Sequence, residues 1–342
     1  MAYHARRGIS SSFGRLVGKC LQKPKRTRES GKDTLRLVKS EEGVRQGCVL
    51  SSYLFNVLAE MVMREALDGY NGGVQIGGRL LTNLRYADDI VLLACTEDEL
   101  QELVNRLDQV SSRYNLMINI EKTKVMATAN QQCNITIQGV NLEKVATFPY
   151  LGSIISDDAT CSADIKSRLA KASGIRASLS KLWKSHGISV GTKVKLMKSL
   201  VWSAASYGCE SWTLKKQDEA RLMAFEMKGL RQIMRVSWTA KKTNLWVLQQ
   251  AGVEQSLVQS IKERKLKYCG RVLRKQEESL EKDILEGTMP GTRRRGRPRI
   301  SWRDNTEDRT GMSMKEVLSC VQDRDRWRRA VHNATKLRSE DG

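Results

Sequence analysis

The chain has 342 residues, 40% of them hydrophobic, enough for two cores and more than an unstructured tail carries. No apolar run reaches the length of a membrane span, and the eight cysteines are too widely scattered for a CxxC pair or a zinc knuckle. The formal charge of +21 divides unevenly, with 11 basic and 2 acidic residues in 1–40, 9 and 16 in 41–160, and 39 and 20 in 161–342. An acidic block between basic flanks is the pattern of a cation-binding centre held against a polyanion.

The scattered cysteines read as reduced, mostly buried thiols, and with no secretory signal read at the N-terminus an intracellular compartment is expected. Residues 1–40 hold no acid before Glu29, and Ile9, Phe13, Leu16, Val17 and Cys20 share a helical face opposite Arg6, Arg7, Arg15 and Lys19. This basic segment is expected to be poorly ordered, with mitochondrial targeting as the minor alternative. Lys23 to Lys32 reads as a linker.

From Gly43 the texture changes. Ser51 or Ser52 can cap a helix with Leu54, Phe55, Leu58, Met61 and Val62 on one face, which Gly69 to Gly78 ends. Leu80 to Ala94 reads as strand, turn, strand, with Asp88-Asp89 at its polar centre. Thr96 and Glu99 form a capping box for a helix with Leu100, Leu103, Val104, Leu107, Val110 and Tyr114 on one face. Short strands are expected at Lys124 to Ala129, Cys133 to Gln138, Val140 to Val145 and Tyr150 to Ser156. The order predicts an α+β fold with an antiparallel sheet. Beyond Asp164 the pattern is helical, near 162–184, 190–207, 215–236, 255–278 and 313–335, interrupted by a loop at 289–303 that carries six arginines.

Two adjacent carboxylates at the tip of a tight hairpin repel one another and call for a cation between or above them. Hard divalent ions such as Mg²⁺ take oxygen ligands and commonly join one or two carboxylates to substrate phosphates. A solvated turn is the competing reading, since Asp is a common turn residue. The flanks favour the metal, because Leu84, Tyr86, Ile90, Val91, Leu92 and Leu93 are expected to bury both arms and give the acids a rigid base.

Tyr86-Ala87-Asp88-Asp89 resembles the motif C box of reverse transcriptases, and the stretch from Gly43 to Asn56 resembles motif B. Gly43-Val44-Arg45-Gln46-Gly47-Cys48-Val49-Leu50-Ser51, Asn119-Ile120-Glu121-Lys122-Thr123-Lys124 and Tyr150-Leu151-Gly152-Ser153 are similar to the non-LTR, LINE-type enzymes, nearest to the RTE-like group. Tyr207-Gly208-Cys209-Glu210-Ser211-Trp212 and the run 293–299 followed by Trp302 resemble the C-terminal part of the same elements. The resemblance covers about 41–340. It implies a partial palm over 41–156 holding motifs B to E, a helical thumb-like region over 157–240 and a basic helical region over 241–342.

Carried over residue by residue, the resemblance makes Asp88 a ligand of catalytic Mg²⁺, with Mn²⁺ as a substitute, and Asp89 its less direct partner. Arg45, Gln46, Gly47 and Tyr86 are expected at the nascent base pair, and Lys122 or Lys124 near the departing pyrophosphate, with a solvated strand end as the equal alternative for the lysines. Tyr150, Leu151, Gly152 and Ser153 are expected to support the primer end. An RNA template and a DNA primer are the implied partners, and the nucleus is favoured over the cytoplasm.

The departures matter as much. The motif A aspartate is expected several tens of residues before motif B, and only Asp33 precedes Gly43, too close and without an aromatic neighbour. Ser52 stands where the family usually has Pro. With a shared metal anchor missing, little or no polymerase activity is expected from the chain alone, unless a missing N-terminal part of the same element supplies it. The alternative reading is a non-catalytic nucleic-acid-binding protein derived from a retroelement.

For that reading the cations after Asp164 count most. Arg168, Lys171, Lys181, Lys184, Lys193, Lys195 and Lys198 lie on predicted helices, and Arg293, Arg294, Arg295, Arg297 and Arg299 form a denser run. Arg295-Gly296-Arg297-Pro298 resembles an AT-hook core, with a nuclear-import signal or a basic linker as the blander readings. The seven tryptophans are expected to be mostly packing anchors, and His4, His186 and His332 offer no metal site.

Overall fold

The computed structural model describes residues 25–28, 37–40, 49–128, 131–275, 279–286 and 299–335. The chain divides into two compact units, one of residues 1–125 with 132–145 and one of 126–131 with 146–342.

In the first unit β1 (Lys25–Arg28) pairs antiparallel with β2 (Leu37–Ser40), Lys25 lying opposite Ser40. A strand thus stands where the charge-rich sequence predicts a linker. Cross-strand backbone pairing, which composition does not report, decides the conformation there.

Helix α1 (Val49–Ala66) begins ahead of Ser51 and Ser52, so neither is its cap, and it buries Leu58, Val62, Met63 and Ala66. After α1 come two hairpins, β3 (Val74–Ile76) with β4 (Arg79–Leu81) and β5 (Asn83–Tyr86) with β6 (Asp89–Leu92). Helix α2 (Glu97–Arg113) has Thr96 as its N-cap, accepting from Glu99 N at 3.2 Å. The reciprocal half of the expected capping box goes elsewhere, since Glu99 Oε2 accepts from Cys95 N. One face of α2 packs on α1 through Leu107 and Val110 against Val62, Met63 and Ala66. Leu103 and Val104 are buried too, and Val104 joins a neighbouring cluster with Val125, Ile135, Ile137 and Leu142.

The strands that follow are shorter than expected. They are β7 (Lys124–Val125), β8 (Thr136–Ile137), β9 (Val140–Asn141) and β10 (Glu143–Lys144). β8 and β9 are antiparallel, whereas β10 runs parallel to β7. Every sheet among the described residues has two strands, so the expected antiparallel sheet stands there as separate pairs. The mixture of helices and small sheets agrees with an α+β class.

The second unit opens with β11 (Thr147–Tyr150) and β12 (Ser153–Ser156), an antiparallel hairpin. Helices follow: α3 (Ser162–Ser178), α4 (Ser180–Lys184) and α5 (Val190–Leu196), the last running through a π-helical turn (Met197–Trp202) into Ser203–Ala205. Next come α6 (Lys216–Met234), α7 (Asn244–Gln250) and α8 (Leu257–Leu273). The chain continues with α9 (Leu280–Glu286), α10 (Trp302–Thr310), α11 (Met314–Gln322) and α12 (Arg324–Ala334). The helix expected over 313–335 is broken at Asp323, whose carboxylate caps α12 by accepting from Asp325 N and Arg326 N. Helix α10 escaped sequence periodicity because the residues it buries are Asn305 and Thr306.

Helix α8 joins two cores. Leu257 and Ile261 belong to the larger one with Trp183, Met197, Trp212, Leu222 and Leu230, while Leu266, Cys269 and Leu273 pack with Val317, Val321 and Trp327. Trp183, Trp202, Trp212 and Trp327 are buried, as packing anchors should be. No described helix is long and apolar enough to cross a membrane.

Candidate functional site

Tyr86 lies opposite Asp89, so Ala87 and Asp88 form a two-residue turn. Ala87 takes φ of 54°, a left-handed conformation that costs a residue with a Cβ roughly 1 kcal/mol and holds the two carboxylates at the tip. Asp88 and Asp89 are both exposed. The hairpin is rooted at its far end, where Leu92 packs against both clusters of the first unit and Leu93 N donates to Thr82 O at 2.8 Å. Arg85 pairs with Glu60 of α1 at 2.9 Å, and Glu60 also takes Arg64 at 2.7 Å. The hydrogen bond from Arg64 is the largest influence holding the Glu60 carboxyl below its ordinary range.

The expectation that both arms are buried is overturned. Tyr86 is 65% exposed, Ile90 38% and Leu84 36%, while Val91, Leu92 and Leu93 are half-buried. The physical reason is the two-stranded sheet, since apolar side chains on a hairpin stay wet unless a further strand or helix covers them.

The two carboxylates are hard oxygen donors of the kind Mg²⁺ takes. Among the described residues no group of three or more His, Cys, Asp or Glu converges on a common point, so two acids are all that this hairpin brings to a metal. Lys124 is committed to Glu143 at 2.6 Å. Lys122 is exposed in a turn organised by Asn119, whose Oδ1 accepts from Lys122 N and whose carbonyl accepts from Thr123 N and Oγ1. Arg45, Gln46 and Gly47 lie outside the described residues.

The other expected site is built more tightly. In the β11–β12 hairpin Leu151 (φ 47°) and Gly152 (φ 81°) form the turn after Tyr150. Arg168 Nη2 donates to Gly152 O, and the Arg168 guanidinium stacks 4.2 Å from the centre of the Tyr207 ring. Tyr207 Oη in turn donates to Leu151 O at 3.4 Å. Asp164, nearly fully buried, accepts from Ile154 N at 2.9 Å and from Trp212 Nε1 at 2.8 Å. Gly208 sits so close to Ser153 that an added Cβ would lie 3.0 Å from its Oγ. The segments Tyr150–Ser153 and Tyr207–Trp212, separate in the sequence, are thus one structure. Sequence reading missed Asp164 as a member and took Arg168 for a surface cation. Their i, i+4 spacing on a helix was the available signal.

The network extends to the end of the arginine run. Arg264 grips Glu210 through Nε at 3.0 Å and Nη2 at 2.6 Å, and Trp302 Nε1 donates to Glu210 O at 2.9 Å. Buried Lys265 donates to Trp212 O and Asn305 Oδ1, and burial pulls its pKa down to about 8. Arg299 donates to Asp158 O at 2.6 Å. Arg293, Arg294, Arg295 and Arg297 lie outside the described residues. Of the seven cations named on predicted helices, Arg168 and Lys193 are buried, Lys193 donating to Ser185 O at 2.6 Å. Lys171, Lys181, Lys184 and Lys195 are exposed.

Residues 5–155 match the family model for reverse transcriptase, the RNA-dependent DNA polymerase. A transposon-derived protein of Caenorhabditis elegans is 26% identical over 280 residues, 77% of this chain and 99% of that protein. The Pol polyprotein of the type-1 retrotransposable element R2 of Nasonia vitripennis is 38% identical over 73 residues, 21% of this chain and 7% of that protein. The match to the family model takes in the segment before Gly43 as well as both acids of the hairpin.

Proposed function

We propose that this chain is a fragment of a non-LTR, LINE-type retrotransposon reverse transcriptase, of RTE-like kind, that keeps one hairpin of a two-metal site and lacks polymerase activity by itself. The observation that carries the reading is the Asp88-Asp89 tip on a hairpin whose apolar arms Leu84, Tyr86 and Ile90 are uncovered. In a nucleotidyl transfer two Mg²⁺ ions clamp the attacking hydroxyl and the leaving pyrophosphate, and a strand bearing a further carboxylate beside this hairpin would share the metals and cover the arms. Asp88 and Asp89 are the residues that would hold the metal here. With no third acid beside them among the described residues, a bound metal would be poorly neutralised and would give a reacting phosphate little electrostatic support. Tyr86 stands at the same tip, in reach of a base pair, and the clamped Tyr150–Ser153 turn is rigid enough to support a primer end.

The basic second unit would supply RNA and DNA affinity through counterion release, and the nucleus is the location proposed with it. Titration with Mn²⁺, followed by its effect on water proton relaxation, tests the metal reading. A weak site lost in Asp88→Asn is the expected result. Binding indifferent to both Asp88→Asn and Asp89→Asn removes the reading.

A second reading, a non-catalytic nucleic-acid-binding protein, is favoured by one observation, the excess of 39 basic over 20 acidic residues in 161–342. Salt dependence of oligonucleotide binding separates its two versions. Loss of affinity in Arg295→Ala with Arg297→Ala points to groove insertion, and unchanged affinity points to the exposed helix cations.

A further inference from the structure

Within the second unit an open groove of about 1500 Å³ runs along α6. Its floor is the stripe Ala220, Met223 and Ala224, which follows helical spacing and is continued inward by the buried Met227, and Ile300, half exposed, lines the groove as well. The floor is the outer face of α6, since Leu222, Phe225, Leu230 and Ile233 on the other face fill the core.

The rim is basic. Lys216, Lys228 and Arg231 line it from α6 itself and Arg235 from the helix's C-cap. Arg231 bonds Asn244 Oδ1 and Lys242 O, and Arg235 bonds Lys184 O and the His186 ring, so none of these partners is a carboxylate and both cations keep their field. Of the two carboxylates in the lining, Glu219 is neutralised by Lys262 at 3.1 Å and by Arg309.

We infer that this groove is a docking site for an acidic amphipathic α-helix of a protein partner. Three features select that occupant. Small residues at 220 and 224 leave a notch one helical turn long, into which the ridge of another helix fits at close approach. The volume accommodates about three turns of a helix of roughly 10 Å diameter. Met223, exposed at the groove floor, is an adaptable anchor for leucine-like side chains, and the surrounding cations match a helix whose outer face is acidic. A single nucleic-acid strand fits less well, because its bases stack on aromatic rings and none lines the groove among the described residues.

The test uses the full chain and a fluorescein-labelled helical peptide of about 16 residues, with leucines at i, i+3, i+4 and i+7 and glutamates elsewhere. A peptide with lysine for glutamate and an oligothymidylate of similar length are the comparison probes. The acidic peptide is expected to saturate and to weaken about tenfold in Met223→Ser and in Lys228→Glu, with unchanged thermal unfolding. The lysine peptide is expected not to bind, and oligothymidylate binding not to change in either variant. Should Met223→Ser shift unfolding, Ala224→Gln replaces it, because Ala224 is exposed and its substitution leaves the core untouched. Peptide binding indifferent to these substitutions overturns the inference. So does oligothymidylate that displaces the peptide and weakens in the same variants, which makes the groove a nucleic-acid surface.

Discussion

Arg168 and Tyr207 stack with the guanidinium 4.2 Å from the ring centre, and the two side chains end on adjacent carbonyls, Arg168 on that of Gly152 and Tyr207 on that of Leu151. The stack welds α3 and the Tyr207–Trp212 segment to the tip of the β11–β12 hairpin. Because Arg168 is buried, its removal leaves the Gly152 carbonyl and the Asp164 charge without their cation. Arg168→Ala is expected to cost about 2–4 kcal/mol in urea unfolding, with Arg168→Lys no better than halfway back, since an ammonium cannot stack and fork at once. A loss below about 1 kcal/mol would show that the hairpin is held by other contacts.

Helix α8 passes Trp327 at Gly270, where an added Cβ would lie 2.2 Å from Nε1 and 2.6 Å from Cδ1 of the indole. Gly270→Ala gains helix propensity of about 1 kcal/mol and forces the indole out of a core it shares with Val317 and Val321. Net destabilisation of about 1–3 kcal/mol is expected, together with a shift in tryptophan fluorescence. An alanine variant as stable as the parent contradicts this packing.

Glu226 is fully buried, with Oε1 accepting from Leu257 N at 3.1 Å and Oε2 without a partner. Burial raises its pKa to about 7 from 4.5, opposed by the Leu257 amide and by Lys198. A raised carboxyl pKa means that the folded state holds a proton the unfolded chain releases. The contribution is therefore complete below pH 4.5 and disappears as pH rises through about 7. Glu226→Gln is expected to remove this dependence and to exceed the parent by about 2–3 kcal/mol at pH 8. Equal urea midpoints for both proteins at pH 5 and at pH 8 would refute it.

The uncovered arms of the Asp88-Asp89 hairpin predict an unusual contrast within one strand. Ile90→Ser, at a position 38% exposed, is expected to cost under about 1 kcal/mol, whereas Leu92→Ala, packed on two clusters, costs about 2 kcal/mol. If Ile90→Ser proves the costlier change, something in the protein already covers the arms.

Much of the first unit was legible because its signals are local. Thr96 before an acidic first turn marks a helix start wherever it occurs, and the two-residue turn at Ala87-Asp88 follows from the apolar flanks on either side. Burial of those flanks was not legible, because a pattern of apolar residues states what can be covered and not whether a covering strand exists. Arg168 and Lys193 failed in the opposite sense: charged residues at helical spacing read as solvent-facing, and only the approach of the Gly152 and Ser185 carbonyls makes their burial tolerable. The union of Tyr150–Ser153 with Tyr207–Trp212 depends on a contact across more than fifty residues, which no window of sequence contains.

Primer extension tests the central claim most directly. The full chain is given an RNA template, an annealed DNA primer, all four deoxynucleotides and either Mg²⁺ or Mn²⁺. Two carboxylates without a third among the described residues predict no extension above a protein-free control with either ion. Extension that disappears in Asp88→Ala would contradict the account, because it would mean that this chain completes the metal site by itself.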